Sequence, residues 1–143
     1  MINGFRISSK FEDMDLDAVH AFIVNSYWAK GIPKKTLSKA MQNSICFGIF
    51  DLTGHQIGFA RTVTDSATYA YLADVYILEQ YRGQGLSKRL MSEVVAHPQL
   101  QGLRRITLAT SDAHGFYEKF GFKPLAKPEI FMEAWNPNVY QDT

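Results

Sequence analysis

The chain has 143 residues and a mass of 16.2 kDa, so we expect one domain over residues 1–143. Apolar residues make up 46% of the sequence, charged residues 20%, and the formal net charge is +1, which argues against disorder and against a dedicated nucleic-acid-binding protein. The longest apolar run is far shorter than the ~18 residues of a membrane span, and the N-terminus lacks a signal-peptide pattern. Because Cys46 is the only cysteine, no intrachain disulfide can form, and we expect a cytoplasmic protein. From the charge balance and the short apolar runs we expect neither a nucleic-acid partner nor a membrane partner.

The first half of the chain predicts two helices and four strands. Residues 5–8 alternate apolar and polar side chains, as a short strand does. Asp15 suits the N-cap of a helix that we expect to end near Gly31, and Pro33 suits the first turn of a second helix over residues 34–42. Residues 45–51 and 55–64 predict a hairpin, and residues 68–78 predict a long strand after it.

The second half of the chain alternates helices with strands. A turn with two glycines precedes an amphipathic helix that begins at Leu86 and ends before Pro98. We expect a strand at 105–109, a helix at 112–120 that ends at Gly121, and a final strand at 130–135 with Trp135 in the core. The order β-α-α-β-β-β-α-β-α-β indicates an α/β (α+β) fold in which antiparallel strands come first and some parallel pairing follows.

The turn at residues 81–85 carries the clearest chemical signal. Gly83 and Gly85 lie between a strand and a helix, where unpaired backbone N–H groups and the helix dipole attract anions. Arg82 and Lys88 add positive charge. Lys88 stands where the dinucleotide fingerprint needs its third glycine, and the glycine spacing also excludes a P-loop. A glycine turn that leads into a solvated helix is the alternative interpretation.

Two motifs together resemble the GNAT N-acetyltransferases, a family that uses acetyl-CoA. Gln80-x-x-Gly83-x-Gly85 is similar to the pyrophosphate-binding motif of that family, and Phe116-Tyr117-Glu118-Lys119-Phe120-Gly121-Phe122 is similar to its closing motif. The segment Asp112-Ala113-His114 before the second motif resembles a small single-domain branch. The resemblance spans nearly the whole chain. It implies a mixed, mostly antiparallel central sheet with a splayed strand pair and helices on both faces.

The resemblance also implies a reaction and its cofactor site. An acetyl group would pass from acetyl-CoA directly to a primary amine of a small molecule or polypeptide, with Tyr117 protonating the CoA thiolate and no metal involved. A backbone N–H of Tyr76 or Ile77 would polarise the thioester carbonyl. Thr110 stands where many relatives carry an asparagine, so its contact with pantetheine is a departure from the family pattern. The implied cofactor-binding residues are Val75, Tyr76, Ile77, Leu78, Arg82, Gly83, Gln84, Gly85, Leu86, Ser87, Lys88 and Thr110.

The acceptor side and the base stay open at this point. Glu79 is the first candidate for a base or a water-ordering carboxylate and Asp74 the second, and each also fits an ordinary solvated charge. Tyr27 and Trp28 could flank an amine through cation–π contact, or could simply pack in the core. His114 could lie on the cofactor side, on the acceptor side, or be a plain helix residue.

Two further questions have more than one answer from sequence alone. The domain could hold an acyl-CoA as a non-catalytic sensor or regulatory module instead of transferring the acyl group. The sequence gives no firm basis for an oligomeric state, and a homodimer is left open.

Cys46 lies within an apolar strand and is expected to be buried and inert.

Overall fold

A computed structural model describes residues 4–141. Five strands form one sheet in the order β1-β2-β3-β4-β5, in which β4 and β5 pair in parallel and all other neighbours are antiparallel. The predicted fold class, a mixed and mostly antiparallel sheet with helices, is confirmed. The strands are β1 (Arg6–Ser8), β2 (Ile45–Phe50), β3 (Gln56–Thr64), β4 (Tyr69–Ile77) and β5 (Arg105–Leu108).

Helices cover both faces of this sheet. They are α1 (Leu16–Ile23), α2 (Lys34–Gln42), α3 (Leu86–Ala96) and α4 (His114–Glu118). Leu90 and Met91 of α3 pack in the core on one face, while Val19 of α1 and Leu37 of α2 pack on the other. Cys46 is 3% exposed and lies in the second of these cores, so its predicted burial is confirmed. No helix within residues 4–141 is long and apolar enough to cross a membrane.

The first helix is shorter than its sequence predicts. Asp15 caps α1 as expected, since its carboxylate accepts a hydrogen bond from the Ala18 N–H at 3.1 Å. The helix nevertheless ends at Ile23 instead of near Gly31. Ser26 ends it, because its hydroxyl donates to the Ile23 carbonyl at 2.6 Å and accepts from the Ala29 N–H at 3.1 Å, which replaces helical bonding with a compact turn.

The parallel strands β4 and β5 separate part-way along their length. Pairing between β4 and β5 runs from Tyr69 opposite Arg105 to Leu72 opposite Leu108 and stops there. Two residues later Asp74 adopts φ 56°, in the left-handed region that few residues other than glycine enter. Beyond this bulge β4 continues to pair with β3 alone. The resulting gap is the splayed strand pair that the sequence predicts.

The prediction of a final strand at residues 130–135 is wrong. Residues Pro128–Ile130 form a 3₁₀ turn, and residues 131–135 have no regular structure and no strand partner within the described chain. Trp135 is 75% exposed instead of lying in the core. The sequence has strand character there, but a strand also needs a neighbouring backbone to pair with. Neither edge strand of the sheet, β1 or β5, pairs with these residues.

Candidate active site

A cleft of about 640 Å³ occupies the gap between β4 and the chain that follows β5. The bulge at Asp74 and the loss of pairing after Leu72 open it. Side chains from the loop after α1, from β4 and from α4 meet around the cleft. The residues singled out in the sequence that line it are Tyr27, Trp28, Asp74, Val75, Tyr76, Ile77, Arg82, Ser87, Thr110 and Tyr117.

The glycine loop adjoins one end of this cleft. Gly83 and Gly85 have φ of 82° and 84°, a backbone conformation that side-chain-bearing residues rarely adopt. No described residue accepts a hydrogen bond from the backbone N–H groups of residues 83–88. Because these donors sit at the N-terminus of α3, they form an anion-binding end. The residues Gly83, Gly85, Leu86 and Lys88 line a second cavity of about 160 Å³ at this point.

The loop cavity and the cleft adjoin each other. Both are lined by Ile77, Arg82 and Ser87. The Arg82 side chain is held between them, since its Nε donates to the Ile77 carbonyl at 2.9 Å. A long ligand with an anionic end can therefore run from the α3 N-terminus along β4 into the cleft.

Tyr117 lies on the opposite wall of the cleft. Its ring is fixed by edge contacts with Phe116 and Phe122, at centroid distances of 5.1 and 6.0 Å. Burial raises the pKa of its phenol above the usual 10, and nearby Tyr27 and Asp112 raise it further. The phenol is therefore protonated at neutral pH and able to donate a hydrogen bond into the cleft.

Two aromatic residues of the loop after α1 close the cleft from the side. Tyr27 and Trp28 stack edge to face with ring centroids 5.1 Å apart. The Ser111 hydroxyl donates to the Tyr27 hydroxyl at 3.0 Å, and the Trp28 Nε1 donates to Asp74 at 2.8 Å. The loop is thereby tied to both walls of the cleft. Core packing, the alternative for these two residues, does not describe them, because their exposed fractions are 67% and 42%.

Asp74 is a buried carboxylate whose two oxygens are both engaged. One accepts from Trp28, and the other accepts from the Arg61 Nε at 2.8 Å in an ion pair. Arg61 is in turn held by the Ser44 hydroxyl at 3.1 Å. Because both of its oxygens already accept hydrogen bonds, the carboxylate holds its donors in place, and this geometry suits positioning better than proton acceptance.

The Tyr76 hydroxyl is buried and has no hydrogen-bond partner among residues 4–141. The ring stacks on Phe22 at a centroid distance of 4.0 Å and an interplanar angle of 7°. Burial is the main cause that raises the pKa of its phenol, and the Asp15 and Asp74 carboxylates act in the same direction. Tyr76 lines the cleft, but its hydroxyl oxygen is buried and is therefore not open to a molecule in the cleft.

Comparison with known proteins identifies the family. The sequence profile described as an acetyltransferase (GNAT) domain matches residues 42–124, more than half of the chain. The chain belongs to the GNAT acetyltransferase family. A protein from Gibberella zeae that is named as an acetyltransferase is 32% identical over 133 residues, covering 77% of this chain and 74% of that protein.

Solved GNAT structures agree with this assignment. The crystal structure of an acetyltransferase of the family from Xanthomonas campestris pv. campestris is 45% identical, superposes with a TM-score of 0.92, and covers 95% of this chain and 96% of its own. An acetyltransferase structure from Deinococcus radiodurans is 19% identical, with a TM-score of 0.76 and coverage of 96% and 92%. At that identity the second likeness concerns the fold alone.

Four residues named from the GNAT resemblance line neither the main cleft nor the loop cavity. Glu79 is exposed on a 3₁₀ turn after β4, and Leu78 is half-buried just before it. Gln84 is exposed, with its side-chain amide donating to the Tyr81 carbonyl at 3.0 Å. His114 is exposed and lines a separate groove on the far side of β5 and α4. His114 therefore lies neither beside the glycine loop nor beside Tyr27 and Trp28.

Sequence reasoning missed Phe22 and Ser111, which line the GNAT cleft, and Arg61, which pairs with Asp74. The sequence could have indicated Arg61, because a single charged residue inside the buried strand β3 needs a partner of opposite charge. Nothing in the local sequence indicates Ser111 and Phe22, since their roles depend on contacts across the fold. Within the described residues no group of three His, Cys, Asp or Glu side chains is arranged to hold a metal ion.

Proposed function

We propose that this GNAT protein is an N-acetyltransferase that moves an acetyl group from acetyl-CoA directly to a primary amine of a small molecule or polypeptide. One observation carries the proposal. The cavity at the glycine loop and the cleft share Ile77, Arg82 and Ser87, so an anion-binding helix end adjoins the cleft that contains Tyr117, and we call the two cavities together the channel. A CoA thioester has this shape and charge, with phosphates at one end and the reactive group at the other.

The residues of the channel fit such a donor. The free N–H groups of residues 83–88 would hold the pyrophosphate together with the Lys88 ammonium. The unpaired side of β4 beyond Leu72 and the Thr110 hydroxyl would hold the pantetheine arm. A backbone N–H of Tyr76 or Ile77 would polarise the acyl carbonyl. Acetyl-CoA itself would supply the activated thioester.

Tyr117 would donate its phenolic proton to the departing sulfur. Its position on the cleft wall and its raised pKa both support this role, because the phenol stays protonated at neutral pH. The rings of Phe116 and Phe122 would hold the hydroxyl in one orientation.

Trp28 and Tyr27 would form the acceptor side. Asp74 holds the Trp28 indole through the 2.8 Å hydrogen bond, so we assign Asp74 to positioning. Glu79 is exposed and lines neither the cleft nor the loop cavity. Removal of the proton from the amine is therefore assigned to water in the open cleft, with Glu79 as the remaining carboxylate candidate.

The test compares wild type with Tyr117→Phe on a panel of primary amines, by following CoA release. Loss of the proton donor should lower the rate by about 10²- to 10⁴-fold, while the Kd for acetyl-CoA stays the same. Tyr69→Phe is the matched control, because the Tyr69 hydroxyl bonds to Thr107 and lies outside the cleft. An undiminished rate in Tyr117→Phe would contradict the proposed role. A wild-type protein that binds acetyl-CoA and acetylates none of the panel would favour the sensor alternative.

A further inference from the structure

The end of the cleft away from the glycine loop is lined by aromatic rings. β4 runs from Tyr71 at this end to Ile77, which also lines the loop cavity. Tyr27, Trp28 and Tyr71 are each more than a third exposed. Aromatic faces left open in a cavity attract cations and pack against apolar chains. We call this end the mouth, and the residues that line it are Tyr27, Trp28, Tyr71, Asp74, Ser111 and Asp112.

One carboxylate of the mouth has no counter-ion. Within residues 4–141 no group donates a hydrogen bond to the Asp112 carboxylate, and no cation forms an ion pair with it. Asp74, the other carboxylate of the mouth, is paired with Arg61. Among the described residues that line the cleft, Arg82 is the single cation, and it stands at the loop end. The mouth therefore carries one uncompensated negative charge, which favours a positively charged ligand.

Asp112 and Tyr117 lie on the same wall of the cleft at different depths. Tyr117 is half-buried, whereas Asp112 is exposed. The hydroxyl of Ser111, the neighbour of Asp112, donates to the Tyr27 hydroxyl at 3.0 Å, so Asp112 stands where the aromatic loop crosses the cleft. A linear molecule with one end beside Tyr117 would therefore have its other end between the Asp112 carboxylate and the aromatic rings of the loop.

We propose that the acceptor is a small aliphatic amine that carries a second positive charge, and that Asp112 is the residue that selects it. The inference rests on the proposed acetyl transfer and names its acceptor class. The uncharged nitrogen would attack the acetyl carbon: the N–C bond forms, the C–S bond breaks, and the sulfur takes the proton of Tyr117. The nitrogen loses a proton to water, and water returns one to Tyr117. The second nitrogen, as an ammonium, would pair with Asp112 and contact the rings of Tyr27 and Trp28.

The loop after α1 sets the size of this acceptor. It spans the mouth, because Tyr27 is bonded to Ser111 on one wall and Trp28 to Asp74 on the other. The cleft of about 640 Å³ would also hold the pantetheine arm, so the room left beneath the loop suits a chain of a few carbons. An acceptor with a carboxylate at its far end would be repelled by Asp112, which gives the site its selectivity.

The test compares three acceptors of matched length that differ only in the charge of the far end: the straight-chain five-carbon diamine, monoamine and terminal amino acid. Per reacting amine, wild type should have a kcat/KM for the diamine about tenfold above that for the monoamine, as one hydrogen bond between charged groups supplies, and should act most slowly on the amino acid. Asp112→Asn should abolish the preference for the diamine, and Asp112→Lys should favour the amino acid. Glu118→Gln is the matched control and should keep the wild-type order, since Glu118 is an exposed carboxylate of α4 that lines the groove beyond the cleft.

The outcomes separate this inference from acetyl transfer itself. Equal rates of wild type on all three acceptors, or an Asp112→Asn protein that still prefers the diamine, would overturn the inference while acetyl transfer stands. If wild type acetylates none of the three, acetyl transfer to this class fails, and calorimetric titration with the same molecules decides the role of Asp112 in binding. Tighter binding of the diamine than of the monoamine that is lost in Asp112→Asn would support that role, and any other pattern would overturn it.

Discussion

The Tyr76 phenol shows how a single atom in this site can oppose folding. Its ring is buried and stacked on Phe22, yet the hydroxyl has no hydrogen-bond partner in the part of the chain that the structure describes. A buried hydroxyl without a hydrogen bond keeps its desolvation penalty, on the order of 1–3 kcal/mol. The residue therefore combines a favourable aromatic contact with an unfavourable polar one.

Removing that hydroxyl should stabilise the ligand-free protein. We expect Tyr76→Phe to raise the free energy of unfolding by about 1 kcal/mol, measured by urea denaturation. Tyr81→Phe is the control, because the Tyr81 hydroxyl donates to Asp51 at 3.2 Å and its loss should not stabilise the protein. A destabilised Tyr76→Phe would show that an ordered water or another group satisfies this hydroxyl.

At the same scale, the sequence identifies many residues of the cleft but not their partners. Gly83, Gly85 and Tyr117 stand in local motifs that can be recognised without the fold. The hydrogen bond from Trp28 to Asp74 joins residues 46 positions apart, and no local pattern contains it. That bond changes the interpretation of Asp74 from a candidate base to a positioning group.

Among the elements, the turn between β2 and β3 depends on one carboxylate. Asp51 accepts from the Thr53 N–H at 2.9 Å, from the Thr53 hydroxyl at 2.8 Å and from the His55 N–H at 3.0 Å. These bonds, led by the Thr53 hydroxyl, lower the pKa of Asp51 from 3.8 to about 2. A carboxyl whose pKa is lowered by folding stabilises the folded state above its unfolded pKa and loses that effect as the pH falls.

The contribution of Asp51 should therefore vanish in acid. Asp51→Ala should be less stable than wild type above pH 3.8, and the difference should shrink as the pH falls toward about 2. Urea denaturation across this range measures the difference at each pH. A difference that stays constant down to the lowest pH would show that the turn does not depend on the ionised carboxylate.

The elements that sequence analysis predicts incorrectly share a physical cause. The end of α1 is set by the Ser26 hydroxyl, which bonds within a turn that outcompetes the helix. The strand at 130–135 has the right composition, but pairing depends on a neighbour that the described chain does not bring to it. A helix cap depends on nearby residues, so the sequence predicts the cap at Asp15 correctly. The end of a helix and the pairing of a strand depend on contacts with other parts of the fold, which the local sequence does not contain.

On the scale of the whole molecule, the cleft exists because β4 and β5 separate and the loop after α1 bridges the gap between them. The bulge at Asp74 separates β4 from β5, and Tyr27 bonds to Ser111, which lies 84 positions away in the chain. The glycine loop at the start of α3 then adds an anion-binding end to the same channel. The central claim is that this channel binds acetyl-CoA.

Calorimetric titration of the cofactor-stripped protein with acetyl-CoA tests that claim most directly, with NADH and ATP as control ligands. Wild type should bind acetyl-CoA with a micromolar Kd. Gly83→Trp should bind none, because its side chain would fill the loop cavity. Gly102→Trp is the matched control, since Gly102 shares the positive φ and open surroundings but lies outside both cavities. It should bind like wild type, whereas no binding by wild type, or equal binding by Gly83→Trp, would contradict the account.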